Sequence, residues 1–589
     1  MTEDRPQPQV TVLDAGGQYC HLIARRVREM GVYADVMPSE TPAAELAGRK
    51  AVIVSGGPSS VYESGSPTAD PALFSAGVPV LGICYGLQLM AHLMNGRVKK
   101  GVKGEYGHAR IHLTGRDRLF EGLDAVEDVW MSHRDQVETP PAGFALLAST
   151  PACPVAAMGD ASRGLYGIQF HPEVVHTPKG QRLLENFIFG VARCEKDWDP
   201  RGRLALLEDK IREVAAGRHV FFFVSGGVDS SVAYTLCLRA LGPERVRGAY
   251  VDTGLMREGE TDFVRDVFTA MSPETFSVVD ASADFLGALK GVVDPERKRH
   301  IIGEMFVEVQ DRVLQSGHYL DADWILGQGT IYPDTIESGG TAKADLIKTH
   351  HNRVAGIQRL IGENRIIEPL TSFYKDEVRA IGRELGLPAE MLDRHPFPGP
   401  GLAIRLLCSD ESTPVTKLPE GWLLPVHSVG VQGDSRSYRA ALALDHVSAA
   451  AMDRAAETIN SLSAVNRVVG LAGSHARLDA MTSSPAHIDA RRLARLRRAD
   501  AIVRGLSHES GFDRKVWQFP VVVIPVGTAE RPDSVVLRPI DSIDGMTAQA
   551  VAMERALLER MTRDLLEIPG ICAVFFDLTH KPPGTIEWE

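Results

Sequence analysis

With 589 residues the chain is too long for a single hydrophobic core, and two to four domains are expected. Its 44% hydrophobic and 24% charged residues are ordinary for a globular protein, and a net charge of −12 excludes a generally basic surface for duplex nucleic acid. Residues 1–9 are polar and proline-bearing, without the apolar core of a secretory signal, and no later run is long enough to span a bilayer. A soluble cytoplasmic protein is therefore expected, with neither nucleic acid nor membrane as partner. Seven scattered cysteines, an odd number without paired spacing, argue against a disulfide framework and against a zinc ribbon.

In chain order, the apolar runs Val10 to Leu13, Ala51 to Val54 and Val78 to Ile83 alternate with helical stretches such as His21 to Met30. This alternation predicts an α/β sheet domain over residues 1–195. The polar segment Cys194 to Arg203, with Asp199-Pro200, reads as a linker. A second α/β pattern, over 204–407, opens with the strand His219 to Val224, a glycine turn, a helix through Leu238 and the strand Arg247 to Val251. Beyond it the pattern changes. Leu423 to Leu444 holds two strand-like runs, a helical stretch follows, and Asn466 to Val469 closes the unit as a strand. Val521 to Val526 and Ser534 to Ile540 are again strand-like, Ala548 to Leu566 is helical, and Ile568 to Asp577 ends in a strand. A β-β-α-β order thus occurs twice, over 408–490 and over 491–589, giving α+β units after two α/β domains. The arginine-rich run Arg491 to Arg498 is expected to be a solvated helix face rather than a polyanion site.

Gly82-Ile83-Cys84-Tyr85-Gly86 joins an apolar strand to the helical run from Leu87 that Asn95-Gly96 ends. Cys84 then sits on a tight elbow where glycines tolerate a strained backbone and a helix N-terminus favours a thiolate and an oxyanion. A buried structural cysteine fits the elbow alone as well. Gly167-Ile-Gln-Phe-His171-Pro172-Glu173 makes the reading more specific: His171 can take the thiol proton and return it to a leaving group, and Glu173 can orient the ring. These residues, with Asp14-Ala-Gly-Gly-Gln18-Tyr and Ser55-Gly56-Gly57-Pro58, resemble the class I glutamine amidotransferases over nearly all of the first 190 residues. The resemblance implies oxyanion donors on the N–H groups of Gly57 and Tyr85, and Gln88 beside a glutamine substrate. It places Met131-Ser-His133-Arg134-Asp135 in a substrate-binding stretch, with Arg134 where many members have glycine.

Ser225-Gly226-Gly227-Val228-Asp229-Ser230-Ser231 follows the strand Val220 to Val224 and opens a helix. Two glycines let backbone N–H groups approach phosphate, hydroxyls add donors, and the helix N-terminus favours the anion. The lysine of a Walker loop is missing, and Asp229 is placed to hold Mg2+ that bridges phosphate oxygens. The string resembles the pyrophosphatase-type loop of enzymes that transfer AMP to a substrate oxygen. Asp252, in Tyr250-Val-Asp252-Thr-Gly-Leu-Met256-Arg257, is either beside the nucleotide, as that resemblance implies, or a strand-end cap.

Gly327-Gln-Gly-Thr-Ile-Tyr-Pro-Asp334-Thr-Ile-Glu337, Ile347-Lys348-Thr-His350-His351-Asn352, Arg394-His-Pro-Phe-Pro-Gly-Pro-Gly401 and Lys581-Pro-Pro-Gly-Thr585-Ile-Glu587-Trp-Glu589 resemble the GMP synthetases. Lys348, His350, His351 and Asn352 supply donors and cations suited to a lid over triphosphate, and zinc is not expected there. The string Pro396 to Gly401 is either a rigid turn or the lining of a nucleotide pocket. The resemblance implies XMP, ATP and glutamine as substrates, and Arg299, Asp434, Arg436, Gln518, Lys581 and Glu587 as XMP contacts, though each is also compatible with a surface role. Common bacterial members pass almost directly from the Pro-Phe-Pro-Gly string to a helix like the one at Leu496. Here about eighty residues intervene and carry the first β-β-α-β unit, an extra copy expected to supply a dimer partner internally. A monomer or a homodimer is compatible with the chain.

Overall fold

In a computed structural model the described residues are 7–17, 19–100, 104–115, 117–174, 176–332, 334, 355–432, 435–462, 464–542 and 548–589. The chain divides into two compact units, Met1–Gly202 and Arg203–Glu589.

The first unit is built on β1 (Val10–Asp14), β2 (Ala34–Pro38), β3 (Ala51–Val54), β4 (Val80–Ile83), β5 (Glu105–Leu113), β6 (Val126–His133), β7 (Ala145–Ser149), β8 (Ala157–Asp160) and β9 (Leu165–Ile168). They form one sheet in the order β2-β1-β3-β4-β9-β8-β7-β5-β6, parallel from β2 through β9 and antiparallel beyond. Val10 to Leu13, Ala51 to Val54 and Val80 to Ile83 are wholly buried, the continuous apolar reading of parallel strands covered on both faces. Helix α1 (Cys20–Glu29) buries Cys20, Ile23, Ala24 and Val27, the spacing of one helical face. The polar segment after Cys194 is anchored by Trp198, which stacks on Tyr33 at 4.4 Å between ring centroids. The boundary between units falls at its end.

In the second unit, β10 (His219–Phe223), β11 (Val246–Asp252), β12 (Phe276–Asp280), β13 (Trp324–Gly327) and β14 (Ile366–Ile367) make an all-parallel sheet ordered β12-β11-β10-β13-β14. Helix α3 (Val228–Leu241) follows β10, and α4 (Pro295–Ser316) precedes β13. A second sheet holds β15 (Thr416–Lys417), β16 (Trp422–Gln432), β17 (Ser435–Leu444), β18 (Val465–Ser474), β19 (Val521–Ile524), β20 (Asp533–Leu537) and β21 (Ile571–Asp577). Its order, β15-β16-β17-β18-β21-β20-β19, contains two runs of the same design. In each, an antiparallel pair (β16 and β17; β19 and β20) is followed by a helix, α5 (Ala449–Ser461) or α7 (Arg555–Leu566), and a parallel return strand (β18; β21). The two return strands pair antiparallel at the middle of the sheet.

Arg467 of β18, Arg538 and Asp577 of β21 are all fully buried where the runs meet, with Arg467 Nη1 and Arg538 Nη1 at 3.0 and 2.8 Å from Asp577 Oδ2. Burial opposes the Asp577 charge, but Arg538 and Arg467 outweigh it and hold the carboxyl below its usual range.

Three expectations change. Val521 to Val526 is not one strand: β19 stops at Ile524 because Pro525 has no N–H for the ladder, and Val526–Gly527 pairs instead with Thr482–Ser483. The helix expected over Ala548 to Leu566 begins only at Arg555, since Ala548 exchanges both backbone bonds with Lys581 and Gln549–Ala550 pairs with Ile540–Asp541. Tertiary pairing there overrides helix propensity. The arginine run is a solvated face only in part, at the exposed Arg491 and Arg498. On α6 (Ala490–Ser510), Arg492 is buried against Asp533, Arg495 pairs with the same carboxylate at 2.6 Å, and Arg497 donates to the carbonyls of Met256 and Gly254. Among the described residues no helix is long and apolar enough to cross a membrane.

Candidate active site

Adjacent parallel strands assemble the cysteine site. β4 and β9 pair with Ile83 opposite Ile168, so the chain leaves both at one sheet edge, the usual place for a site in such sheets. Cys84 follows β4 at φ 53° and ψ −104°, and α2 (Tyr85–Leu93) starts at the next residue. A side chain at Gly86 would put its Cβ 2.3 Å from the Val54 carbonyl oxygen, so the elbow closes only over glycine. Gln169, His171 and Glu173 follow β9. His171 Nδ1 lies 2.7 Å from Glu173 Oε1, and the ring faces the Cys84 thiol. Burial disfavours the charged ring, yet the Glu173 carboxylate and Cys84 outweigh it and push His171 up to about 10. The His171 backbone is fixed on both sides: its N–H donates to the Trp130 carbonyl at 3.0 Å and its carbonyl accepts from the Thr177 hydroxyl at 2.6 Å. Cys84 Sγ also lies 3.6 Å from the Ser132 carbonyl oxygen.

A cleft of 540 Å³ opens over this pair, lined by Gly56, Gly57, Cys84, Gln88, Ser132, His133, Arg134 and His171 among others. Gln88 is buried and donates from Nε2 to the Asp135 carbonyl at 2.7 Å and to Gln169 Oε1 at 3.2 Å. Gln169 in turn donates to Cys84 Sγ at 3.5 Å. The sequence assigns Gln169 no role; its one signal is a polar residue at the end of an otherwise apolar strand. Gln18 lies outside the described residues.

The second site lies between β10 and α3. Gly226 has φ +72°, a left-handed turn that glycine adopts without strain, and the hydroxyls of Ser225 and Ser230 are 3.0 Å apart across it. Ser225 and Gly227 each spend a backbone N–H on these hydroxyls. Asp229 stands in the first turn of α3 with Oδ2 3.5 Å from Lys375 Nζ, while its Oδ1 is buried without a hydrogen-bond partner among the described residues. Burial raises the Asp229 carboxyl above its usual range, and Asp334 adds to this while Lys375 opposes it. A carboxylate with one unsatisfied buried oxygen at a phosphate-type loop suits a hard divalent cation such as Mg2+. Val228 and Ser231 are buried. Asp252 accepts from the Gly254 N–H and the Thr261 hydroxyl, both at 2.8 Å, the geometry of the strand-end cap. Lys375, which sequence reasoning missed, comes from the start of another helix, Lys375–Glu384.

Of the residues expected at a third substrate, Arg299 on α4 donates to the Glu589 main-chain oxygen, and neighbouring Lys298 pairs with the Glu589 carboxylate at 2.5 Å. Glu587 forms a two-bond pair with buried Arg405, at 3.0 and 2.7 Å. Gln518 bridges Ile540, Ile540 pairs with Ala550, and Ala548 exchanges bonds with Lys581, so Gln518 and Lys581 flank one small ladder. Lys348, His350, His351, Asn352, Glu337 and Asp434 lie outside the described residues, as does the side chain of Arg436.

Three known families match the chain: Glutamine amidotransferase class-I over residues 11–191, NAD synthase over 201–285 and GMP synthase C terminal domain over 506–588. A protein of Leptospira interrogans serovar copenhageni, named a probable glutamine-hydrolyzing GMP synthase, is 42% identical over 603 residues, covering 99% of each chain. The glutamine-hydrolyzing GMP synthases of Geobacillus kaustophilus and Thermobifida fusca are each 40% identical, covering 99% of this chain and 100% of the relative in the first case and 98% of both in the second. With identity of this level sustained over essentially its whole length, the chain belongs to the glutamine-hydrolysing GMP synthase family.

Proposed function

We propose that this enzyme aminates XMP to GMP with nitrogen taken from glutamine and energy from ATP. The observation that carries the reading is the pairing, in a chain alike to GMP synthases from end to end, of a cysteine–histidine–glutamate site with a separate phosphate-type loop. Cys84 attacks the glutamine carboxamide, and His171 takes the thiol proton and returns it to the departing ammonia. Glu173 orients the ring and balances its charge, and Gly57 and Tyr85 offer N–H groups to the oxyanion. Gln88 and the cleft wall around Arg134 hold the substrate.

In the second unit the 2-oxygen of XMP attacks the α-phosphorus of ATP and pyrophosphate leaves; ammonia then displaces AMP from the purine. Activation is required because an oxide is a poor leaving group, and exclusion of water keeps ammonia neutral and nucleophilic. Ser225, Gly226, Gly227, Ser230 and the start of α3 bind phosphate, with Val228 and Ser231 setting the turn. Asp229 would hold Mg2+, which when bound neutralises phosphate charge. Asp252 shapes the pocket through its cap, Lys348, His350, His351 and Asn352 close over triphosphate, and Arg299, Asp434, Arg436, Gln518, Lys581 and Glu587 receive XMP. The unit boundaries 1–195, 204–407, 408–490 and 491–589 are the proposed division of these tasks, in the cytoplasm.

The extra β-β-α-β run covers the inner edge of the last run within one chain, and this supports a monomer. Light scattering that finds an obligate dimer through the terminal runs rejects that state. Incubation with XMP, glutamine, ATP and Mg2+ should yield GMP, AMP, pyrophosphate and glutamate. Pyrophosphate and AMP without guanine nucleotide, with ammonium supplied, would overturn the acceptor.

A further inference from the structure

Glu105 and His133 stand opposite each other in the β5–β6 ladder, so their side chains share one face of the sheet. Cys153 reaches the same place from the turn between β7 and β8. There Thr150 Oγ1 accepts the Cys153 N–H at 2.8 Å and donates to the Glu105 carboxylate at 3.0 Å. One ligand atom from each of Glu105, His133 and Cys153 lies within 4.8 Å of the other two. His133 and Cys153 are buried and Glu105 half-buried.

The ring orientation decides what this cluster wants. His133 Nδ1 lies 3.1 Å from the Asp135 carbonyl oxygen, which only accepts, so Nδ1 carries the ring proton. Nε2 then presents a lone pair, buried and without a hydrogen-bond partner among the described residues, at 3.3 Å from Glu105 Oε2. Two electron-rich atoms facing each other away from water are costly unless a positive charge lies between them.

We propose that Glu105, His133 and Cys153 bind one divalent cation of the zinc type through a carboxylate oxygen, the imidazole Nε2 and the thiolate. An O, N, S donor set suits zinc, or cobalt in its place, and not magnesium or calcium, which take oxygen ligands. The Asp135 carbonyl on Nδ1 is the outer contact that orients such a histidine. Three protein ligands leave a fourth position for water. Ligation through the thiolate displaces the thiol proton, so affinity rises with pH. The site is distinct from Asp229 and backs onto the wall of the glutamine cleft, which His133 lines.

The test uses the full chain with Cys84→Ala, which removes the nucleophilic thiol as a competing ligand, treated with chelator and titrated with Co2+. One equivalent should bind with thiolate-to-cobalt charge-transfer absorption, and Zn2+ should abolish the band by displacement. Adding Cys153→Ala should remove the band, adding Cys194→Ala should preserve it, and adding Glu105→Gln should weaken Co2+ affinity by roughly 10-fold or more. A Cys84→Ala protein without the band, or a band that survives Cys153→Ala, overturns the site. Should Cys153→Ala fail to fold by circular dichroism, the Glu105→Gln affinity decides, and an unchanged value overturns it. None of these readouts depends on the amination reaction.

Discussion

Glu173→Gln tests the division of labour at the cysteine site through one atom. The His171–Glu173 contact is 2.7 Å long, and neither residue is more than 4% exposed. The rise of His171 from 6.5 to about 10 corresponds to about 5 kcal/mol in favour of the charged ring, part of it owed to Cys84. Removing one partner of a buried charged pair costs roughly 3–5 kcal/mol, and that charge is needed once the thiol proton has moved. Glutamine-dependent kcat/KM should therefore fall roughly 10²- to 10⁴-fold while ammonium-dependent GMP formation holds. With the carboxylate gone, burial dominates and the ring is neutral at neutral pH, so the alkaline limb set by imidazolium moves to lower pH. Stability carries a matching sign. The stabilisation from the pair is fully present below the unfolded value of 6.5 and is lost as pH rises through about 10, so the gap between wild type and variant in urea midpoint narrows across that window. A folded variant within about tenfold of wild type with glutamine, or one losing both nitrogen sources together, refutes the assignment.

Four further outcomes separate the two units. Cys84→Ala should abolish glutamine use while ammonium still supports GMP formation, read as nucleotide product by chromatography. Asp229→Asn should lower pyrophosphate release with either nitrogen source by about 3 kcal/mol, roughly 10²-fold or more. Gly86→Ala sets a methyl 2.3 Å from the Val54 carbonyl and should destabilise the first unit by roughly 1–3 kcal/mol, with glutamine use lost and ammonium use kept. Asp577→Asn leaves Arg467 and Arg538 buried without their counter-charge and should destabilise by roughly 3–5 kcal/mol in urea unfolding near neutral pH. Because the Asp577 carboxyl sits below its ordinary 3.8, its contribution is present above that value, is lost as pH falls through the lower folded value, and the gap closes only in strong acid.

What could be read from the sequence was local. The elbow at Cys84 is announced by Gly82 and Gly86 around a strand end, because neighbouring backbone approaches both so closely that a Cβ has no room. His171 and Glu173 are two positions apart, so their contact hardly depends on the rest of the fold. Gln169 was legible as a residue but not as a partner, because its neighbours Cys84 and Gln88 arrive through the pairing of β4 with β9. The same holds for Lys375 at Asp229. Arg492 and Arg495 were misread for a related reason: a run of arginines looks solvated unless the buried Asp533, from a distant strand, is known to face it.

The carboxyl-terminal segment shows how charge placed by tertiary structure governs a proposed binding surface. Arg467, from the first β-β-α-β run, donates to the main-chain oxygens of Thr585 and Glu587, and Arg538, from the second, donates to those of Thr585 and Ile586. Both arginines lean on Asp577, which also accepts from the Trp588 indole at 2.9 Å, so the two runs jointly fix the segment that ends in Glu587 and Glu589. Glu587 then meets Arg405, and Glu589 meets Lys298 and Arg299. On the proposed reading, XMP takes over hydrogen bonds that these groups now give one another, and the cost of parting them is set by burial more than by distance. The first run accordingly does more than cap a sheet edge: without Arg467 the acceptor segment loses its anchor even where every residue expected to touch XMP is present.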